Sequence, residues 1–220
     1  MTMDTNRLIQ SLAADLKPVQ RLRPPVLRCL LWLTVALPPV AMVVALMGLR
    51  PDLMMKLGEA RFLVQELAAL ATALTAGTAA LAIIIPGTPR WKLLLPVIPL
   101  AVWLASLGQQ CFQEWIKLGS TGMTFAPDPL CIPGIAMIAV GPAAILVAMM
   151  RHGVQFYPRL AVLLGGLAAA ALADAGLRLF HPQDAGLMVL VWQFGSVALF
   201  SLLAGALGDL LLPTRSGMLR

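Results

Sequence analysis

Six apolar runs, each long enough to cross a bilayer, leave this chain few folds to choose from: residues 26–49, 62–85, 93–112, 132–150, 160–180 and 187–212. Crossing roughly 30 Å of hydrocarbon takes about 20 residues of helix at 1.5 Å per residue. Inside lipid, only helices and closed barrels satisfy every backbone N–H and C=O, and runs of this length are helices. They take up most of the 220 residues, so a second globular domain of ordinary size has no room. Charged residues make up 12% of the chain, about half the share expected of a soluble domain. The expected fold is an all-α integral membrane bundle of six transmembrane helices over residues 26–212. An N-terminal helix and basic linker (1–25) precede it and a short tail (213–220) follows.

The first 25 residues are polar, and the run after them is too long for a signal-peptide core and lacks a small-residue cleavage site, so it reads as a membrane helix. Lysine and arginine then set the orientation. Eleven of them (Arg7, Lys17, Arg21, Arg23, Arg28, Arg90, Lys92, Arg151, Arg159, Arg215 and Arg220) fall on one side of such a bundle, against five (Arg50, Lys56, Arg61, Lys117 and Arg178) on the other. Short basic loops stay in the cytoplasm, so both termini are expected there. The net charge of +6 is explained by this topology and by anionic lipid. No basic cluster is interleaved with base-stacking aromatics, so direct nucleic-acid binding is not expected.

Ahead of the first run, Leu8, Ile9, Leu12 and Leu16 recur at helical spacing from Thr5 until Pro18. A one-sided helix of about three turns is marginal alone in water, so its apolar stripe needs a surface. Lipid or a cytoplasmic partner protein would serve, and the residues leave both open. Arg21-Leu22-Arg23-Pro24-Pro25 forms a stiff basic linker. Pro38-Pro39 is expected to kink the first membrane helix, with the Thr34 hydroxyl placed to serve the freed carbonyls. Cys29, nearby, reads as a small buried apolar residue.

Small residues mark two packing helices: Ala69, Ala73, Ala76, Gly77 and Ala80 in the second run, and Gly165, Gly166, Ala169, Ala170 and Ala173 in the fifth. The connection bearing Arg50, Asp52, Lys56, Glu59 and Arg61 reads as a solvated surface. Asp174 and Arg178, four apart, read as a structural ion pair near the outer headgroups.

Soft ligands collect toward the outer side. Cys111 closes the third run and Cys131 opens the fourth, with Met123, Glu114, His181 and Asp184 near them in topology. Thiolate and imidazole suit ions such as Cu, Zn or Cd, which makes Cys111, Cys131 and His181 candidate ligands. A disulfide closing a loop of this length would instead stabilise by about 3 kcal/mol in the chain-entropy model. Spacing does not choose between the two. The chain has no P-loop, zinc-protease helix motif or nucleophile elbow, and is not expected to be an enzyme. A small metal-ion transporter or channel is the alternative, although the clear intramembrane ionisable residue, Asp174, lies near a helix end rather than at the midplane.

Four strings carry a family resemblance. They are residues 8–25 (LIQSLAADLKPVQRLRPP), 48–53 (GLRPDL), 103–108 (WLASLG) ahead of Cys111, and 180–192 (FHPQDAGLMVLVW). Taken together the chain resembles the NrsF-like membrane anti-sigma factors, a bacterial family of six-helix inner-membrane proteins. The resemblance implies a cytoplasmic face that holds an extracytoplasmic-function sigma factor, with Leu8, Leu12, Leu16, Arg21 and Arg23 as the partner-binding residues. It also implies an outer face that senses metal or redox stress, with Cys111 and Cys131 as the sensing residues.

Overall fold

A computed structural model describes residues 5–14, 22–119, 131–153, 156–181 and 189–212, and every regular element among them is helical. In chain order these are α1 (Thr5–Ala14), α2 (Pro25–Met47), α3 (Leu53–Leu57), α4 (Ala60–Ile83), α5 (Val97–Leu118), α6 (Cys131–Met150), α7 (Pro158–Leu177) and α8 (Gly195–Ala206). A 3₁₀ turn, Arg90–Leu94, leads toward α5, a π turn, Val189–Phe194, runs directly into α8, and Gly208–Leu211 closes the bundle. By length and composition five helices can cross a membrane: α2, α4, α6, α7, and α5 with its preceding turn. The sixth apolar run, Leu190–Ala206, is shorter than expected. It stops because the chain turns inward after Leu207, and Gly208 lies so close to the α7 start that a Cβ there would sit 2.4 Å from the Arg159 Cα.

The bundle is built around α7 and α4. Helix α7 packs on α4, α6 and α8, while α4 also packs on α5 and α2. From Ala168 to Leu177 every residue of α7 is buried, as suits a helix that is apolar all round save for Asp174. The expected alanine face of α4 is the buried one: Ala69, Ala73, Ala76, Gly77 and Ala80 all lie inside. Small residues let backbones approach closely, and α7 meets α8 in this way. A Cβ on Gly166 would come within 2.7 Å of the Ala204 Cβ and 3.2 Å of the Ser201 Cα. Large side chains fill the remaining gaps. Trp32 is fully buried and donates its indole N–H to the Pro142 carbonyl at 2.9 Å, tying α2 to α6. Trp103 meets Phe194 edge to face at 5.8 Å. Cys29 is buried, its Sγ 3.4 Å from the Leu74 carbonyl.

Two expectations about helix detail change. Pro38 and Pro39 lie inside α2, yet the Thr34 hydroxyl donates backward to the Leu31 carbonyl at 2.8 Å and not to the carbonyls the prolines free. Gly48, at φ +79°, then ends α2 in a conformation other residues rarely adopt. Helix α5 runs past its expected end at Phe112 to Leu118, because nothing between Gly108 and Gly119 breaks a helix. Polarity at Gln109, Gln110 and Gln113 takes the chain out of the lipid without ending its hydrogen bonding.

Hydrogen bonds between connections define the two ends of the bundle. The Arg50 amide donates to the Leu179 carbonyl at 3.0 Å and the Arg61 guanidinium donates to Gln113, so the α2–α4 connection, the end of α7 and the far part of α5 share one end. At the other end, Arg28 donates to the Met149 carbonyl at 2.7 Å, Arg151 to the Leu211 carbonyl at 3.1 Å, and Arg159 pairs with Asp209 at 2.6 Å.

Candidate functional site

The cysteine region lies at the Arg50 end. Cys111 sits half-buried within α5, about two turns before its last residue, rather than at its mouth. Cys131 is the first residue of α6, and its side chain lies outside the described residues, as do Met123, Asp184 and the Glu114 side chain. Helix α5 packs on α4 and the π turn, while α6 packs mainly on α7 and α2 and also touches α4 and the π turn, so the two helices joined by the intervening connection share two neighbours. His181 is half-buried just beyond α7, its amide donating to the Leu177 carbonyl at 2.8 Å. Cys111 and His181 therefore share one end of the molecule. Among the described residues, no three His, Cys, Asp or Glu side chains converge as a metal site.

A polar cluster sits beside them. Arg178, at the end of α7, donates from Nη2 to Gln65 Oε1 of α4 at 2.7 Å, and Gln65 Nε2 donates onward to Gln110 Oε1 of α5 at 3.1 Å. Arg178 Nε lies 3.1 Å from Glu66 Oε1, an ion contact without the alignment of a hydrogen bond. The guanidinium also stacks over the Phe62 ring, 4.9 Å from its centroid. Asp174 is 1% exposed, and neither of its carboxyl oxygens has a hydrogen-bond partner. A cavity of about 240 Å³ opens beside the cluster, lined by Lys56, Glu59, Arg61, Phe62, Gln65, Gln110 and Arg178.

This geometry revises two readings. The guanidinium of Arg178 turns to α4 instead of back to Asp174, because α4 lies close enough along its alanine face to offer a carboxylate and an amide together. The connection from Arg50 to Arg61 is more than solvated surface. Arg50 is buried and grips Asp52 with two hydrogen bonds of 2.7 and 2.8 Å, which hold the half-buried Asp52 carboxyl below the usual carboxylate range. Lys56 pairs with Glu59 at 2.9 Å on the cavity rim. One signal could have led to the cluster from sequence: Glu66 is a carboxylate within an apolar run, and ionisable residues placed there are costly enough to mark a site.

Surface is offered elsewhere. Every described side chain of α1 is exposed, Ile9 among them. Leu8 and Leu12 stand four residues apart on this helix and so share a face, although their side chains lie outside the described residues, as do Leu16 and Arg21 altogether. Arg23 is exposed at the start of a groove of about 540 Å³ whose walls include Leu22, Arg28, Leu31, Met149 and His152. A second groove, of about 550 Å³, lies among Ile85, Arg90, Leu93, Phe156, Tyr157 and Leu160. Sequence reasoning missed both grooves because each is assembled from segments far apart in the chain. Two apolar grooves with basic rims can hold apolar side chains and steer an acidic surface.

In comparison with known proteins, the family model described as NrsF, negative regulator of sigma F, matches residues 12–213. No curated protein and no solved structure gives a match.

Proposed function

The chain belongs to the NrsF family of negative regulators of sigma F, and on that premise we propose that it is an anti-sigma factor that holds an extracytoplasmic-function sigma factor at the bacterial inner membrane. Release follows when a periplasmic site at Cys111 and Cys131 meets metal or redox stress. The match carries this reading, since it runs from the last residues of α1 past the end of the last helix and so takes in the whole bundle. In this reading the short run Leu190–Ala206 is the sixth crossing and brings both termini to one side. The Arg159 end, which carries Arg23, Arg28, Arg90, Lys92 and Arg151, faces the cytoplasm under the positive-inside rule.

The partner is held by Leu8, Leu12 and Leu16 of the N-terminal segment with Arg21 and Arg23 of the linker. The exposed side chain of Ile9 on α1 supports this, because an amphipathic helix with an uncovered apolar residue has surface to give to another protein. Cys111 and Cys131, with His181 as a further donor, bind a soft ion such as Cu, Zn or Cd or are oxidised to a disulfide. Helices α4 and α7 run from that end to the grooves at the other and pack on one another over most of their length, so they are the elements that carry the signal. Useful signalling needs the two states to differ in sigma affinity by about 1–3 kcal/mol, or roughly 5- to 150-fold.

Co-purification tests the proposal. A sigma factor should be retained in stoichiometric amount by the wild-type protein and lost from Leu12→Asp; absence of any sigma factor from the wild type would overturn it. A second reading, a small metal-ion transporter or channel, draws on the ionisable residues Glu66, mostly enclosed, and Asp174, buried, within membrane helices. Ion flux into liposomes by the purified protein, with no sigma factor bound in cells, would select that reading.

A further inference from the structure

We propose that Glu66, Asp174 and Arg178 form a proton-binding site near the Arg50 end, in which one guanidinium stands between two enclosed carboxyl groups and Asp174, to which it makes no hydrogen bond, carries the proton. Charge counting and hydrogen-bond accounting lead to this. Arg178 brings one positive charge and is committed to α4, through Gln65 and Glu66. Asp174 is buried with both oxygens unpartnered. An ionised carboxylate so placed costs several kcal/mol, whereas a neutral carboxyl carries only the smaller penalty of a buried polar group.

Among the described residues, Arg178 is the one positive charge that acts on Asp174, whereas Glu66 also feels Arg50. Arg50 grips Asp52, Lys56 pairs with Glu59, and Arg61 donates to Gln113. Helix α5 offers Gln110, an amide. Helices α2 and α6 meet this part of α7 with Val40 and Ile138, against Gly176, and with Leu177 packed at Gly134. A metal cation fits poorly, because the guanidinium contacting Glu66 would repel it and the described residues supply no third ligand. A proton needs only one oxygen.

The cavity of about 240 Å³ at the Arg50 end is lined by Arg178 but not by Asp174, so the proton enters and leaves by way of the Arg178 side, one helical turn away. Uptake forms one O–H bond on Asp174 and changes no other bond. Loss leaves two carboxylates competing for one guanidinium, and Asp174 lies one helical turn before Arg178 on the same helix. Drawing Arg178 back toward it removes the Gln65 and Glu66 contacts and loosens α7 from α4. The site therefore couples the proton to the packing of the two central helices, and it stands whether or not a sigma factor is the partner.

Infrared spectroscopy of the protein in lipid nanodiscs tests this directly, by the carbonyl stretch of a buried, protonated carboxylic acid. Wild type in neutral buffer should show the band, and aspartate carrying ¹³C at its side-chain carboxyl should shift it. Asp174→Asn and Glu66→Gln should each abolish it, since each leaves one carboxyl for one guanidinium. As the band is lost on alkaline titration, the wild-type melting temperature should fall more than that of Asp174→Asn. Absence of the band in wild type, no shift on labelling, persistence in either variant, or equal melting curves across the titration would overturn the proposal. The isotope shift needs no variant and holds even if a substituted protein fails to fold.

Discussion

Arg178 of α7 holds its guanidinium Nε 3.1 Å from Oε1 of Glu66 on α4, with both side chains almost wholly inside the bundle. A charge pair enclosed in this way contributes little net stability over an apolar pair, yet removing one partner leaves the other uncompensated. Arg178→Met should therefore destabilise by about 3–5 kcal/mol, and adding Glu66→Met to it should recover part of the loss. Thermal unfolding of the purified variants measures both. Equal stability of wild type and Arg178→Met would mean that the pair does not join α4 to α7.

Gly166 lets α7 and α8 approach until a side chain no longer fits, the missing Cβ lying 2.7 Å from that of Ala204. Gly166→Val should force the helices apart at a cost of about 1–3 kcal/mol, the usual range for overpacking. The milder Gly166→Ala should be rescued by Ala204→Gly, which removes the atom it meets. Melting temperatures across this set of variants check the contact, and a rescue that fails would show the strain to lie elsewhere.

Orientation is measurable at two exposed positions, Met54 at the Arg50 end and Leu210 at the Arg159 end. In a background with Cys111 and Cys131 both changed to Ser, an impermeant thiol reagent should label Met54→Cys in intact spheroplasts and label Leu210→Cys only after lysis. Cys29 needs no replacement, since it is buried in the bundle. The reverse labelling pattern would invert the topology.

Sensing by the cysteines predicts that Cys111→Ser and Cys131→Ser each abolish release of the bound partner by metal or oxidant and leave membrane insertion intact. Metal content and thiol titration of the wild-type protein distinguish a bound ion from a disulfide. Should both variants release the partner normally, the sensor would move to His181 and Asp184.

Sequence alone determined most of the long helices and the packing faces of two of them. A bilayer leaves an apolar run of about 20 residues no structure but a helix, and alanine and glycine at spacings of three and four already mark the faces on which α4 and α7 pack. The amphipathic N-terminal helix was equally legible, since its period is local. Tertiary structure decided what depends on two segments meeting. The four-residue spacing of Asp174 and Arg178 gives them a chance to pair, but only the approach of α4 supplies Glu66 and Gln65 as the competing partners. Cys111 is recognisable by type, while its place two turns inside α5 follows from polar residues that end a membrane run without ending a helix. The two basic-rimmed grooves have no local signature at all, because each comes into being only when connections distant in the chain are brought side by side.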